Sequence, residues 1–194
     1  MLIYVDIIEK LSKALKLVSE EQDADAAVAL MLKPMNQNFK VLFVKRIENP
    51  IDPWSGQMAF PGGKRDAMDK HLKQTVVRET LEETNINLRD CCHFLGTLTA
   101  IRSTRRPEMK ILPFVILLDH EPLIKLSERE LEGFVWISLR ELVQNKGIAK
   151  FGFGEVPAYV IESNVIWGLT YRIIENFLQI LKCLQPEFVW HAPE

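Results

Sequence analysis

The sequence predicts an α/β protein in which a mixed β-sheet packs between helices. Three observations predict it. Apolar segments of strand length outnumber segments with helical periodicity. The two kinds follow one another in mixed order, which argues against a regular βαβ array. The 194 residues, 47% hydrophobic and 26% charged, have the composition of a globular domain that can bury a core without disulfide or metal staples.

The elements can be justified in order. Residues 6–18 read as a helix: Asp6 serves as N-cap with Glu9 three positions later, and Ile7, Leu11, Ala14, Leu15 and Val18 recur at helical spacing. Residues 26–33 and 41–46 read as strands, with a turn over 34–38 between them. Residues 57–60 form a short strand that stops at Pro61-Gly62-Gly63. Residues 71–84 hold no Gly or Pro and read as a helix. Strands follow near 92–101, 110–118 and 134–137, then a short helix near 139–144 and a last strand at 158–161. Residues 164–184 read as a long amphipathic helix with Ile166, Leu169, Ile173, Phe177 and Leu181 on one face, stopped by Pro186. With no repeat, linker or low-complexity tract, residues 1–194 are expected to form a single domain.

Charge and cysteine content narrow the classes. A net charge of −2 is unlike a nucleic-acid binder, which is normally basic. Three cysteines, Cys91, Cys92 and Cys183, with no CxxC pair, point away from a disulfide scaffold or zinc ribbon and towards a reducing compartment. Met1–Val5 is apolar, but Asp6, Glu9 and Lys10 interrupt it at once, unlike a secretory leader. The apolar runs are of strand length, far below the roughly 20 residues of a membrane span. The expectation is a soluble, cytoplasmic protein with neither nucleic acid nor membrane as partner. The tail Phe188-Val189-Trp190 either packs internally or forms a homodimer contact. His71, His93, His120 and His191 show no metal-ligand spacing.

Chemistry concentrates in residues 62–86. Glu79, Glu82 and Glu83 sit three and four apart, so they share a helical face and repel one another. Such crowding reads as a solvated acidic face or as a site that wants a counter-ion. A hard divalent cation such as Mg2+ takes oxygen ligands of this kind and keeps waters and substrate phosphates in its shell. Gly62-Gly63, just upstream, let the backbone approach a ligand closely.

Taken together, Gly63, Asp69, Arg78, Glu79, Glu82, Glu83 and Ile86 resemble the Nudix box, Gly-x5-Glu-x7-Arg-Glu-apolar-x-Glu-Glu-x-Gly-apolar. Asp69 stands at the first acidic position, with eight residues rather than seven between it and Arg78; Thr80 replaces an apolar residue and Asn85 a glycine. Asn is the best non-glycine choice for the left-handed backbone of a helix C-cap. The resemblance implies a Nudix-type α/β/α sandwich and a Mg2+- or Mn2+-dependent hydrolase acting on a nucleoside diphosphate derivative. Carried over by position, Glu79 and Glu83 are the main metal ligands, Glu82 a further one, and the Gly62 carbonyl completes the protein's share. Arg78 orients the glutamates. The general base is either a box glutamate such as Glu79 or Glu82, or a glutamate from a downstream loop: Glu128, Glu130 or Glu132, with Glu130 the alternative base.

A second pattern narrows the branch. Gly56 to Gly63 with Asp66 and Asp69 looks like the GxxxFPGGxxDxxD pattern of the coenzyme A pyrophosphatase-like Nudix proteins. Leu42 to Arg46 is similar to the LLTxR piece before it, and Ile166-Trp167-Gly168-Leu169-Thr170 to a C-terminal segment of that group. The group's second arginine is absent; residues 49–54 stand in its place. The resemblance implies coenzyme A or an acyl-CoA as substrate. The alternatives are an ADP-ribose or (d)NTP pyrophosphohydrolase, or a nucleotide-binding module with an inactive box. Arg46, Lys64 and Arg65 are the candidate phosphate contacts, Arg102, Arg105 and Arg106 further cations, and Trp54 a stacking surface or packing residue.

Overall fold

The computed structural model describes residues 2–18, 23–35, 38–52, 54–90 and 92–186, with backbone only for 2–5. Phe188, Val189, Trp190, Cys91 and His191 lie outside them. In chain order the elements are α1 (Leu2–Ala14), β1 (Ala26–Met35), β2 (Asn38–Arg46), β3 (Met58–Ala59), β4 (Gly62–Lys64), α2 (Leu72–Thr84), β5 (Cys92–Thr97), β6 (Ile101–Arg102), β7 (Lys110–Leu118), β8 (Leu131–Ser138), α3 (Leu139–Gln144), β9 (Lys146–Phe151), β10 (Gly154–Ile161), β11 (Asn164–Trp167) and α4 (Gly168–Leu184).

The main sheet is mixed, as the element order predicts. Its path runs β3-β2-β1-β7-β5, with β8 on β2, β4 on β1 and β6 on β7. Only β1 and β7 run parallel, Ala26 opposite Ile111 through Leu32 opposite Leu117; the other pairs are antiparallel. The β1 and β7 strands are nearly continuous apolar runs because both faces of the sheet are covered. Successive side chains divide between the faces. Leu30 and Leu32 of β1 pack with Ile7 and Leu11 of α1 and with Ile173, Phe177 and Leu181 of α4. Ala27, Ala29 and Met31 point the other way, onto Leu72 and Val76 of α2. The α/β/α layering follows. Each large side chain that α4 buries here contributes about 1.5–3 kcal/mol. A separate antiparallel sheet, β9-β10-β11, lies beside α3 and α4.

Several boundaries differ from the sequence reading. The first helix spans Leu2–Ala14 rather than 6–18. Asp6 is no N-cap but an interior residue paired with Lys10 at 2.6 Å. The helix stops because Lys16 exchanges two backbone hydrogen bonds with Thr97. The last helix begins at Gly168, not at 164, since Asn164–Trp167 pairs with Ala158–Ile161 as strand β11. Gly62–Lys64, where the sequence reading has the preceding strand stop, is a strand on β1. Strands β9 and β11 went unread, the strand read over 92–101 is divided into β5 and β6, and β8 and β10 start earlier than expected. Helix α2 matches, with His71 as its N-cap and Asn85 in the left-handed region at φ 60°.

Candidate active site

Helix α2 sets the carboxylates by its period. Leu72, Val76, Thr80 and Glu83 recur on its buried stripe, so Glu83 points inward and is only 2% exposed. Glu79 lies at the edge of that stripe, its side chain 18% exposed. Glu82 points outward and is 56% exposed. The three therefore do not present equivalent faces: Glu79 and Glu83 enter one cleft, while Glu82 is turned to the surface.

The two glycines of β4 serve different ends. The Gly62 N–H donates to Glu83 Oε2 at 2.8 Å. Gly62 has φ +141°, and a Cβ there would stand 2.2 Å from the Ala27 carbonyl oxygen. Only glycine lets β4 lie so close to β1. A Cβ on Gly63 would meet the Glu79 carboxylate at 2.4 Å, so glycine keeps that carboxylate's space open.

Arg78 gathers the outer part of the box. Its Nε and Nη2 donate to Asp69 at 3.3 and 2.9 Å, and Nη1 donates to Glu79 at 2.8 Å and Glu82 at 3.1 Å. Its Nη2 also donates to the Lys64 carbonyl at 3.2 Å. Asp69 is itself held by the Asp66 N–H at 2.9 Å. The Arg78 hydrogen bond above all holds the Asp69 carboxyl down at about 2. Burial pushes Glu83 up to about 8, against the Gly62 N–H and the Arg46 charge, with Glu79 and Glu130 adding to the rise. Burial also raises Glu79, opposed by Arg78.

These groups border a cleft of about 280 Å3. Among its walls are Arg46, Trp54, Phe60, Lys64, Glu79, Glu83, Glu130 and Thr170. Arg46 is tied to Asp52 at 2.7 Å and stands 4.0 Å from Glu83. The Trp54 backbone N–H donates to Asp52 Oδ1 at 3.0 Å. Glu130 reaches the cleft because the preceding loop is laced to the end of α2: Ser127 N–H donates to the Glu83 carbonyl and Lys125 N–H to Thr84. The Ile47 N–H then takes the Glu130 carbonyl. Glu132, in β8, instead pairs with Lys45 of β2, and Glu128 is exposed; neither borders the cleft. Arg65 is absent from its walls too. Its guanidinium donates to the Asp69 and Lys70 carbonyls and braces the loop before α2. Sequence reasoning missed Asp52 as the anchor of Arg46, and its only signal was an acidic residue two positions before Trp54.

The donor set bears on metal binding. Among the described residues, no three carboxylate, imidazole or thiol side chains form a ready ligand sphere. Glu79 and Glu83, flanked by glycine backbone, nonetheless fit a hard divalent cation. They offer oxygen donors only, and a buried carboxylate such as Glu83 is stabilised in its charged form by an adjacent cation.

The comparisons with known proteins agree with this geometry. The NUDIX domain model matches residues 23–157, and the chain belongs to the Nudix hydrolase family. The human mitochondrial coenzyme A diphosphatase NUDT8 is 30% identical over 166 residues, covering 81% of this chain and 70% of that protein. The peroxisomal coenzyme A diphosphatase ndx-8 of Caenorhabditis elegans is 33% identical over 126 residues, covering 64% of this chain and 52% of that one. An uncharacterized Schizosaccharomyces pombe protein is 39% identical over 108 residues; the match covers 53% of this chain and 33% of that protein. The chain thus spans a third to a half of the length of these last two relatives. Among solved structures, the NUDIX domain of Shewanella oneidensis NrtR, complexed with ADP ribose, superposes with TM-score 0.53 at 19% identity, covering 83% of this chain and 90% of that one. A MutT/nudix protein of Enterococcus faecalis gives 0.51 at 17% identity, covering 88% and 66%. At such identities these two establish the fold. No helix among the described residues is long and apolar enough to cross a membrane.

Proposed function

We propose that this chain, as a single Nudix domain across residues 1–194, hydrolyses a diphosphate bond in a nucleoside diphosphate derivative. Coenzyme A or an acyl-CoA is the favoured substrate, cleaved to the phosphopantetheine part and 3′,5′-ADP. The observation that carries the reading is the convergence of Glu79, Glu83, the Gly62-Gly63 backbone and Glu130 on one cleft with Lys64 and Trp54. The coenzyme A choice rests on the two diphosphatase relatives together with the residue 56–69 pattern.

Glu79 and Glu83, with the Gly62 carbonyl as a further donor, would hold Mg2+ or Mn2+; Glu82, expected from the sequence as a further ligand, is turned to the surface and stays with Arg78. A divalent ion held there would neutralise diphosphate charge and make water a better nucleophile. The chain's own groups do the rest. Arg78 fixes the Glu79 and Glu82 carboxylates from one side. Lys64 faces the diphosphate, and Arg46, held by Asp52, adds positive potential beside Glu83. Trp54 offers an aromatic wall to the pantetheine or the base. Glu130 takes the proton of the attacking water from the open side of the cleft. The cytoplasmic assignment rests on the sequence; the two diphosphatase relatives carry peroxisomal and mitochondrial names.

The test is turnover of coenzyme A, acyl-CoA, ADP-ribose, dinucleoside polyphosphates and dNTPs with Mg2+ or Mn2+, products identified by mass. Glu79→Gln should lower kcat on the order of 100-fold or more with an unchanged melting temperature. Glu130→Gln should lower it by roughly 100-fold or more if Glu130 is the base. A higher kcat/KM for ADP-ribose would move the substrate assignment and leave the hydrolase intact. No turnover of any member would favour a binding module.

A further inference from the structure

Two indole rings near the cleft each carry an arginine, and the two arginines are consecutive. Arg106 lies over Trp54, its guanidinium carbon 5.5 Å from the ring centroid, and Arg105 lies at the same distance over Trp167. Trp54 is a wall of the cleft, and Met109 and Ile111, just beyond Arg106, are walls as well. The segment that carries them is built rather than loose. The Ser103 N–H donates to the Met109 carbonyl at 3.0 Å and the Met109 N–H to the Arg106 carbonyl at 2.9 Å. The Arg106 N–H donates to Ser103 Oγ at 3.2 Å, and Ser103 is buried. The Arg102 guanidinium closes the same turn on the Pro107 carbonyl at 2.8 Å, and Arg172 of α4 donates to the Arg102 carbonyl at 2.9 Å. The Arg106 backbone is therefore held in place beside Trp54.

The charges around it differ in what they have left to offer. Arg46 is already matched by Asp52 and Glu83. Arg78 is matched by Asp69, Glu79 and Glu82. Among the described residues, Arg106 has no carboxylate partner; the Trp54 ring is its neighbour. A guanidinium resting on an aromatic face keeps its N–H groups available, and their planar fork suits a phosphate. Lys64 and a cation at Glu79 and Glu83 would meet the diphosphate at the bottom of the cleft. Arg106 is not itself among the cleft walls and meets the cleft across Trp54, which is one.

We propose that Arg106, laid over Trp54, is the specificity residue for a phosphate monoester of the substrate outside the hydrolysed diphosphate, so that the enzyme prefers a nucleotide carrying such an extra phosphate. For the substrate assigned above, on which this inference rests, that group is the 3′-phosphate of coenzyme A. The bond cleaved is the same with or without it, so Arg106 acts through binding.

The experiment compares coenzyme A with 3′-dephospho-coenzyme A on the wild type and on Arg106→Gln and Arg106→Lys, with melting temperatures as a folding control. The wild type should prefer coenzyme A by roughly tenfold to a hundredfold in kcat/KM, the worth of a charge-assisted contact. In Arg106→Gln that ratio should collapse to within about threefold of unity through KM for coenzyme A, and Arg106→Lys should restore part of it. An unaltered ratio, or an equal loss on both substrates, would overturn the proposal. A second arm separates it from the hydrolase reading. Calorimetry should show adenosine 3′,5′-bisphosphate binding at least tenfold more tightly than AMP to the wild type, and not to Arg106→Gln. If neither thioester carrier is turned over, the substrate assignment falls, and this binding difference alone decides for or against Arg106.

Discussion

Arg78 and Asp69 are nine positions apart and are joined by two charge-assisted hydrogen bonds, at 3.3 and 2.9 Å, across the turn that enters α2. The pair fixes the guanidinium from behind while its remaining nitrogen, Nη1, reaches both Glu79 and Glu82. Asp69→Asn should therefore act on catalysis through Arg78. A charged hydrogen bond of this kind is worth about 1.5–3 kcal/mol, so kcat should fall roughly tenfold to a hundredfold with little change in KM. Steady-state kinetics with near-wild-type kcat would detach Asp69 from the site.

The same carboxylate makes stability depend on acid. Its pKa is held near 2, below its ordinary value of 3.8, chiefly by the Arg78 hydrogen bond. A folded-state value below the unfolded one means that the contribution is present above about pH 4 and is lost as pH falls towards 2. Denaturant unfolding should show wild type more stable than Asp69→Asn at pH 6, with the gap narrowing sharply by pH 2. A constant gap would assign the difference to packing.

The two neighbouring glycines should separate in their effects. Gly62→Ala forces a Cβ against the Ala27 backbone at a positive φ. It should cost on the order of 3 kcal/mol or more, and for a chain of this size lower Tm by roughly 6–12 °C. Gly63→Ala pushes instead on the Glu79 carboxylate. It should leave Tm within a few degrees and cut kcat at least tenfold. Thermal unfolding and kinetics on both variants check the contrast; a stability loss confined to Gly63→Ala would reverse it.

Thr80 is fully buried in α2, and among the described residues its hydroxyl has no hydrogen-bond partner. Thr80→Val removes an unpaired buried polar group at nearly constant volume. Stability should rise by about 1 kcal/mol, seen as a higher denaturant midpoint at the same slope. A destabilised variant would mean the hydroxyl is satisfied after all.

Much of the site was legible because the box lies within one helix and the loop before it. There, spacing alone assigns Glu79, Glu82 and Glu83 to neighbouring positions, and Asn85 announces the helix end. What spacing did not resolve is the angle at which the helix meets the sheet, which sends Glu83 inward and Glu82 outward. Residues 164–167 were misread because Ile166 lies three positions before Leu169, at helical spacing, so a strand that runs straight into α4 extends the helical pattern backwards. Only the pairing with β10 separates the two. β4 was missed because tandem glycine signals a turn locally, whereas its pairing with β1 joins residues some 35 positions apart. Glu130 could be narrowed to three candidates, but the hydrogen bonds that bring its loop to α2 are backbone ones, which side-chain identity does not record.

The hydrogen bond from the Gly62 N–H to Glu83 ties a sheet amide to a titrating side chain. Most protected amides exchange their proton with solvent when a strand peels from its neighbour. Gly62 has a second route, because its acceptor is a carboxylate that can swing towards another positive group without any strand moving. The exchange rate of that one amide, set beside that of Ala29, whose N–H is held by the Pro61 carbonyl, becomes a local gauge. If the two slow together, the sheet has tightened; if Gly62 alone quickens, the carboxylate has left it. Isotope exchange at a single backbone position can thus follow Glu83 in solution without a chromophore, a label or a substrate.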